Sequence, residues 1–325
     1  MMVVPTIMPA NSVSDAYEIS NSVRFNDGAT GSINDTQSAG NRDTWTFSAW
    51  VKRGSLGTNQ IIVISGTADT DYMSFSFLSS DKINWHQYNG SGYDVNESTY
   101  AVYRDIAAWY HIVLRVNTAD STAGDRVILY VNGVRQTVNS TTAFDQNEDT
   151  DFNNNGNTLD IGNDAQFNIG YGAFDGCMAD VNFIDGAAKA PSDFGQSNGN
   201  GVWIPKEYTG DYGTNGFFLE FQQTGGSANA SGIGADTSGT GNHLGVTNLA
   251  ATDITIDTPT NNFAVGNGLS GFSATAGDMA DGNLVLDADS SGDIVAPSTI
   301  GFSSGKWYME MKSTISNGHG NRKTV

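Results

Sequence analysis

The sequence predicts an all-β, antiparallel sandwich, and three segments carry that prediction. Thr44 to Gly54 (TWTFSAWVKRG) sets Trp45, Phe47, Ala49 and Val51 alternately with Thr44, Thr46, Ser48 and Trp50. That is the period-2 pattern of a strand with one buried face. Phe174 to Gly186 (FDGCMADVNFIDG) repeats it, with Cys177, Ala179, Val181 and Phe183 alternating with Met178, Asp180, Asn182 and Ile184. Between them, VILYV runs into Asn132-Gly133 and then VRQ. A two-residue type I′ hairpin needs φ > 0 at both turn positions, which Asn and Gly tolerate.

The remaining elements come in chain order. Ile19, Asn21, Val23 and Phe25 open the first strand (SVRF), which ends at the Asp27-Gly28 turn. Gln60 to Ser65 (QIIVIS) is a short apolar run between Gly57 and Gly66, the mark of a strand buried on both faces. Met73 to Leu78 alternates Met73, Phe75 and Phe77 against Ser74, Ser76 and Leu78, and Ile83 to Tyr88 suits its antiparallel neighbour. Trp109 to Asn117 sets Tyr110, Ile112, Leu114 and Val116 against Trp109, His111, Val113 and Arg115. LDIG (159–162) and FNIG (167–170) read as short strands leading to the last one. Strands recur about every 10–20 residues, and no amphipathic helix interrupts them.

Composition narrows the function. The net charge is −20, with only 15 Lys and Arg. Such a surface repels phosphate backbones and anionic leaflets, so nucleic acid and membrane surfaces are poor partners. The 39 Gly against 6 Pro suit many short strands joined by tight turns. Cys177 is the sole cysteine, so an intrachain disulfide is excluded; in its apolar stretch it reads as a small buried hydrophobe. No stretch approaches about 20 apolar residues, so no transmembrane span is expected.

The strand at 44–54, the YVNG hairpin and the strand at 174–186 together resemble the laminin-G-like (concanavalin A-like lectin/glucanase) jelly-roll module. Within that module, the chain resembles the version in virion proteins of marine bacteriophages. The segments VWIPKEYTGDYGTNGFFLEF (202–221), DTSGTGNH (236–243) and DTPTNNFAVGN (257–267) are similar to the region C-terminal to the sandwich in those proteins. GNLVLDADSSGDIVAPSTIGFSSGKWYMEMK (282–312) resembles the opening strands of a SPRY-type sandwich, with SGKWYMEMK (304–312) carrying the likeness. The resemblance implies a jelly-roll topology and four regions. These are an N-terminal arm (1–17), the sandwich (18–195), a turn-rich extension wrapping the sandwich or a neighbour (196–268), and a partial SPRY-like segment (269–325).

Two sets of residues suggest binding sites. Trp85, Tyr88, Tyr93, Asp94, Asn96 and Tyr171 lie in loop-rich sequence. Their aromatic rings can stack on the C–H face of a sugar while Asn and Asp bond its hydroxyls. In EDTDFNNNGNTLD (148–160), Asp149, Asp151, Asn153, Asn155 and Asp160 offer alternating oxygens for Ca²⁺. The twelfth position counted from Asp151 is Gly162, where an EF-type loop has its bidentate Glu. Asn-rich loops are also ordinary turn chemistry.

Glycanases of this fold need paired carboxylates. Lys312 follows Glu310 and Gln222 follows Glu220 where a second carboxylate would stand, so no catalytic residues are expected. The resemblance implies a protein of the phage particle surface, in a fibre or head-decorating appendage, that attaches to a host-surface glycan and contacts other virion proteins. It would be a homo-oligomer, a trimer by analogy. The alternatives are a purely structural capsid or tail decoration and, third, a polysaccharide depolymerase.

Overall fold

The computed structural model describes residues 17–26, 28, 30–164, 166–267, 278–280, 282–287, 297–301, 303–306 and 310. The chain forms β1 (Ser22–Phe25), β2 (Ser32–Thr36), β3 (Thr44–Arg53), β4 (Gln60–Ala68), β5 (Asp71–Phe77), β6 (Ile83–Tyr88), β7 (Tyr93–Thr99), β8 (Tyr110–Asn117), β9 (Val127–Val131) and β10 (Val134–Arg135). It continues with β11 (Val138–Thr142), β12 (Thr158–Ile161), β13 (Gly176–Asp185), β14 (Gly195–Ser197), β15 (Trp203–Pro205), β16 (Phe217–Leu219), β17 (Gly245–Thr247), β18 (Ile254–Thr255), β19 (Asp278–Ala280) and β20 (Val285–Asp287).

Two antiparallel eight-stranded sheets face each other as a jelly-roll-like sandwich. Sheet A runs β10-β9-β8-β3-β13-β1-β18, with β16 also on β13; sheet B runs β11-β7-β6-β5-β4-β12-β2-β17. Between them lie Trp45, Phe47, Ala49 and Val51 of β3, Met73, Phe75 and Phe77 of β5, and Ile112, Leu114 and Val116 of β8. The hairpin at Asn132-Gly133 has φ of 49° and 77°, as its sequence requires.

Strand β13 departs from simple alternation. Its pairing with β3 slips between Ala179 and Asn182, and Asp180 has φ of 51°. The extra residue of this bulge resets the faces. Met178, Val181 and Phe183 enter the main core, while Cys177 and Ala179 pack on the other side with Trp50 and Trp109. The single face expected for Cys177, Ala179, Val181 and Phe183 is therefore divided. The FNIG segment is a loop, not a strand.

Sheet A is buried on both faces over most of its width. Its outer face carries Trp50, Trp109, Val113, Cys177 and Ile184, covered by Trp203, Phe194, Tyr208 and Tyr212. Trp50 stacks on His111 at 4.8 Å, and His111 stacks on Trp203 at 6.0 Å. The Trp203 indole N–H donates to His111 Nδ1 at 3.0 Å. An indole only donates, so the imidazole proton sits on Nε2, 3.0 Å from Ser48 Oγ. Burial pushes the His111 pKa down to about 3, keeping the ring neutral. A Cβ on Gly195 would lie 2.6 Å from the Trp203 ring, so only glycine admits that ring.

The chain beyond 196 is built into the same sheets. β16 and β18 extend sheet A and β17 extends sheet B. Lys52, buried in β3, donates from Nζ to Asp257 Oδ2, Asn262 Oδ1 and the Phe263 carbonyl, each at 2.8 Å. Asp257 Oδ1 accepts from the Trp109 indole at 3.1 Å, and the Asp257 carbonyl accepts from Ser22 Oγ at 2.6 Å. The pair β19–β20 turns at Gly282-Asn283, and Asn283 Nδ2 donates to the Gly54 carbonyl at 2.6 Å. Most of the arm at 1–17 and, in the SPRY-like segment, residues 269–277, 281, 288–296, 302, 307–309 and 311–325 lie outside the described residues.

Substituting Asp257→Ala leaves a buried ammonium without its counter-charge and an indole donor without its acceptor. A stability loss of about 3–5 kcal/mol is expected, measured by urea unfolding.

Candidate functional site: the outer face of sheet B

The outer face of sheet B carries a polar-aromatic patch across β5–β7, with Ser74, Ser76, Asn84 and His86 buried at its base. Strand register sets the patch in rows. Tyr72, Tyr88 and Tyr93 align across β5, β6 and β7; Ser74, His86 and Asn96 form the next row; Ser76, Asn84 and Ser98 form the third. Tyr171 joins them from the loop between β12 and β13. Phe167 of that loop seals Ile61, Ile64 and Tyr72. The Asp164 carboxylate accepts from the Tyr171 N–H at 3.0 Å and so fixes where the ring sits.

His86 is the hub. The rings of Tyr72 and Tyr93 meet it edge-on with centroids at 5.4 Å, and Tyr171 does so at 5.8 Å. Tyr88 packs on Tyr93 at 5.3 Å. His86 Nδ1 lies 2.8 Å from Asn84 Oδ1, an acceptor, so the proton is on Nδ1. Nε2 is then free to accept from the Tyr72 hydroxyl at 3.2 Å. Asn84 Nδ2 donates to Asn96 Oδ1 at 3.1 Å and to the Glu97 carbonyl at 2.6 Å. Burial pushes the His86 pKa down to about 4 and raises the Tyr72 hydroxyl well above its ordinary value. At neutral pH the patch thus presents phenols, the Asn96 amide and the Ser98 hydroxyl over a buried, neutral imidazole. Its open ring is Tyr93, 47% exposed, with Tyr88 and Tyr171 half-buried beside it.

The structure brings Tyr88, Tyr93 and Tyr171 together and sets Asn96 in the adjoining row. Asp94 sits at the β6–β7 irregularity, accepting from Gln87 Nε2 at 3.1 Å and Asn89 Nδ2 at 2.6 Å. Trp85 is 0% exposed and lies in the core. It sits between Asn84 and His86 on a strand, so it must face inward where they face out. It cannot stack on a sugar. Tyr72 and the hub role of His86 escaped sequence reasoning. The signal was the antiparallel register of YMSFSF on INWHQY, which lays Tyr72 opposite Tyr88.

The five oxygen-bearing residues at 149–160 are dispersed. Asp149 pairs with Arg42 at 3.0 Å. Asn153 Nδ2 donates to the Asn41 carbonyl and to Asp185 Oδ1. Asn155 is exposed, and Asp160 is in mid-strand on β12, opposite Asn34 and Ile64. Asp151 is buried with Oδ2 unpartnered. Among the described residues no three carboxylate, imidazole or thiol groups converge as a metal site. Cys177 is buried, which pushes its thiol up to about 12.

Residues 25–192 match the family described as the concanavalin A-like lectin/glucanases superfamily, over half of the chain. The chain belongs to that superfamily. Its solved structural neighbours include a Bacteroides ovatus protein described as a candidate carbohydrate binder. That likeness has 17% identity and a TM-score of 0.47, and covers 71% of this chain and 58% of that one. Another is domain 4 of an extracellular arabinanase from Geobacillus stearothermophilus, in complex with arabinotriose (17% identity, 53% and 73% coverage, TM-score 0.41). A third is the carbohydrate-binding domain of a Ruminococcus gnavus sialidase bound to sialyllactose (15% identity, 46% and 88% coverage, TM-score 0.32). No curated protein matches. Among the described residues no helix is long and apolar enough to cross a membrane.

Burial raises Asp151 and Asp180 to about 7 and Asp160 to about 8, and lowers both strand histidines. From about pH 4 to 6.5 the two effects oppose: unfolded histidines bind protons the fold refuses, and folded acids keep protons the unfolded chain has lost. Above about pH 6.5 the acids alone remain. The folded state then holds more protons, so stability falls as pH rises through about 8. Thermal unfolding is expected at a lower temperature at pH 8.5 than at 6.5, and Asp160→Asn should reduce that difference.

Proposed function

We propose that this protein is a carbohydrate-binding module that presents the outer face of sheet B to a neutral glycan and does not cleave it. The observation that carries this reading is the grouping of Tyr88, Tyr93 and Tyr171 around a neutral, hydrogen-bonded His86. Tyrosine edges and faces suit the C–H surface of a sugar, and amides and hydroxyls suit its hydroxyl groups. Superfamily membership supports the same reading. The resemblance to phage virion proteins supports a setting on a particle surface, where the module attaches to a host-surface glycan beside other virion proteins. A purely structural role as a particle decoration is favoured by Ile256 and Phe263, both exposed apolar residues next to the edge strand β18.

Affinity electrophoresis in gels containing host polysaccharide tests the proposal. Wild-type protein is expected to be retarded. Tyr93→Ala and Tyr171→Ala should each weaken retention about tenfold, or about 1.4 kcal/mol, with little change in unfolding temperature. A folded wild type that migrates freely through every candidate polysaccharide would favour the decoration role.

A further inference from the structure

The outer face of sheet A is left uncovered at one corner, where an open cleft of about 460 Å³ is lined by Arg115, Ile128, Tyr130, Arg135, Asp120 and Asp125, with Ala188 and Ala190 along one wall. The volume is that of a small-ligand site, about 300–1,000 Å³. Register makes this a built arrangement. Arg115 of β8 stands opposite Ile128 of β9, Tyr130 stands opposite Val113, and Arg135 of β10 stands opposite Tyr130. Leu114, Val116 and Leu129 point into the core, so Arg115, Ile128 and Tyr130 point outward together.

Within the cleft, charge sets Arg115 apart from Arg135. In this chain of net charge −20, Arg24, Arg42, Lys52, Arg53, Arg104 and Arg135 each pair with a carboxylate. Among the described residues Arg115, like Lys82, Arg126, Lys189 and Lys206, pairs with no carboxylate; its guanidinium makes a single 3.4 Å hydrogen bond to the Asp125 carbonyl. Arg135 is already matched by Asp125 at 2.7 Å. The cleft therefore holds one guanidinium able to take a carboxylate in its fork. Asp120 and Asp125 repel a multiply charged anion but accept hydrogen bonds from hydroxyls. Tyr130 supplies a ring beside them.

We propose that this cleft is a second binding site, for a hydroxylated monocarboxylate of the uronic-acid type, with Arg115 on the carboxylate, Asp120 on hydroxyls and Tyr130 against the ring. It lies on the sheet opposite the tyrosine patch and does not depend on the function assigned to that patch.

Calorimetric titration of the full chain with D-glucuronate, and with D-glucose as the uncharged control, tests the site. Glucuronate is expected to bind at least tenfold more tightly than glucose. Arg115→Gln should weaken glucuronate at least tenfold, and Tyr93→Ala should leave it unchanged. Should Arg115→Gln fold poorly, Ala190→Glu, at an exposed position, places a competing carboxylate in the cleft and should abolish binding. Three results would overturn the proposal: glucuronate binding no better than glucose, binding undiminished in folded Arg115→Gln or Ala190→Glu, or binding lost in Tyr93→Ala.

Discussion

Lys52 is buried near one end of the longest strand pair of the sandwich, and its ammonium is stable there because Asp257, Asn262 and the Phe263 carbonyl reach it from the extension. A lone buried ammonium costs several kcal/mol, so the strand and the extension depend on each other. The same dependence is written in apolar side chains. Trp50, Trp109 and Cys177 on the outer face of sheet A would meet water without Trp203 and its neighbours. The extension supplies both the counter-charge and the cover.

That cover gives the molecule its asymmetry. Sheet A is sealed on both faces apart from the Arg115 corner, while the outer face of sheet B reaches solvent at Tyr93 and, in part, at Tyr88, Asn96 and Tyr171. The open face stays soluble because its polar groups bond one another. His86 bridges Asn84 and Tyr72, and Asn84 bridges to Asn96. Such a network holds the side chains in place before any ligand arrives, which lowers the ordering cost of binding.

Much of the sandwich was legible because one-sided burial writes itself as alternation: β3, β5, β8 and the Asn132-Gly133 hairpin all follow their patterns. Three features were not. The bulge at Asp180 adds one residue that no period-2 count can place. Strand β7 (YDVNEST) reads as loop because Asn, Asp and Ser favour turns, yet on a polar sheet face they serve as strand residues. The extension strands β17 and β18 are three and two residues long, too short to show a period, whereas the alternation of Phe217, Leu219 and Phe221 marks β16. The site was half legible. Aromatic content marked Tyr88, Tyr93 and Tyr171. Only strand phase removes Trp85 from the set, and only cross-strand register adds Tyr72.

The central claim is that the extension belongs to the sandwich and seals sheet A, leaving sheet B as the binding face. Urea unfolding of fragments 17–195 and 17–267, followed by tryptophan fluorescence, tests it most directly. The account predicts a single cooperative transition for 17–267, and for 17–195 a loss of cooperative unfolding with tryptophans already exposed to water. A 17–195 fragment that unfolds cooperatively with its tryptophans buried would contradict it.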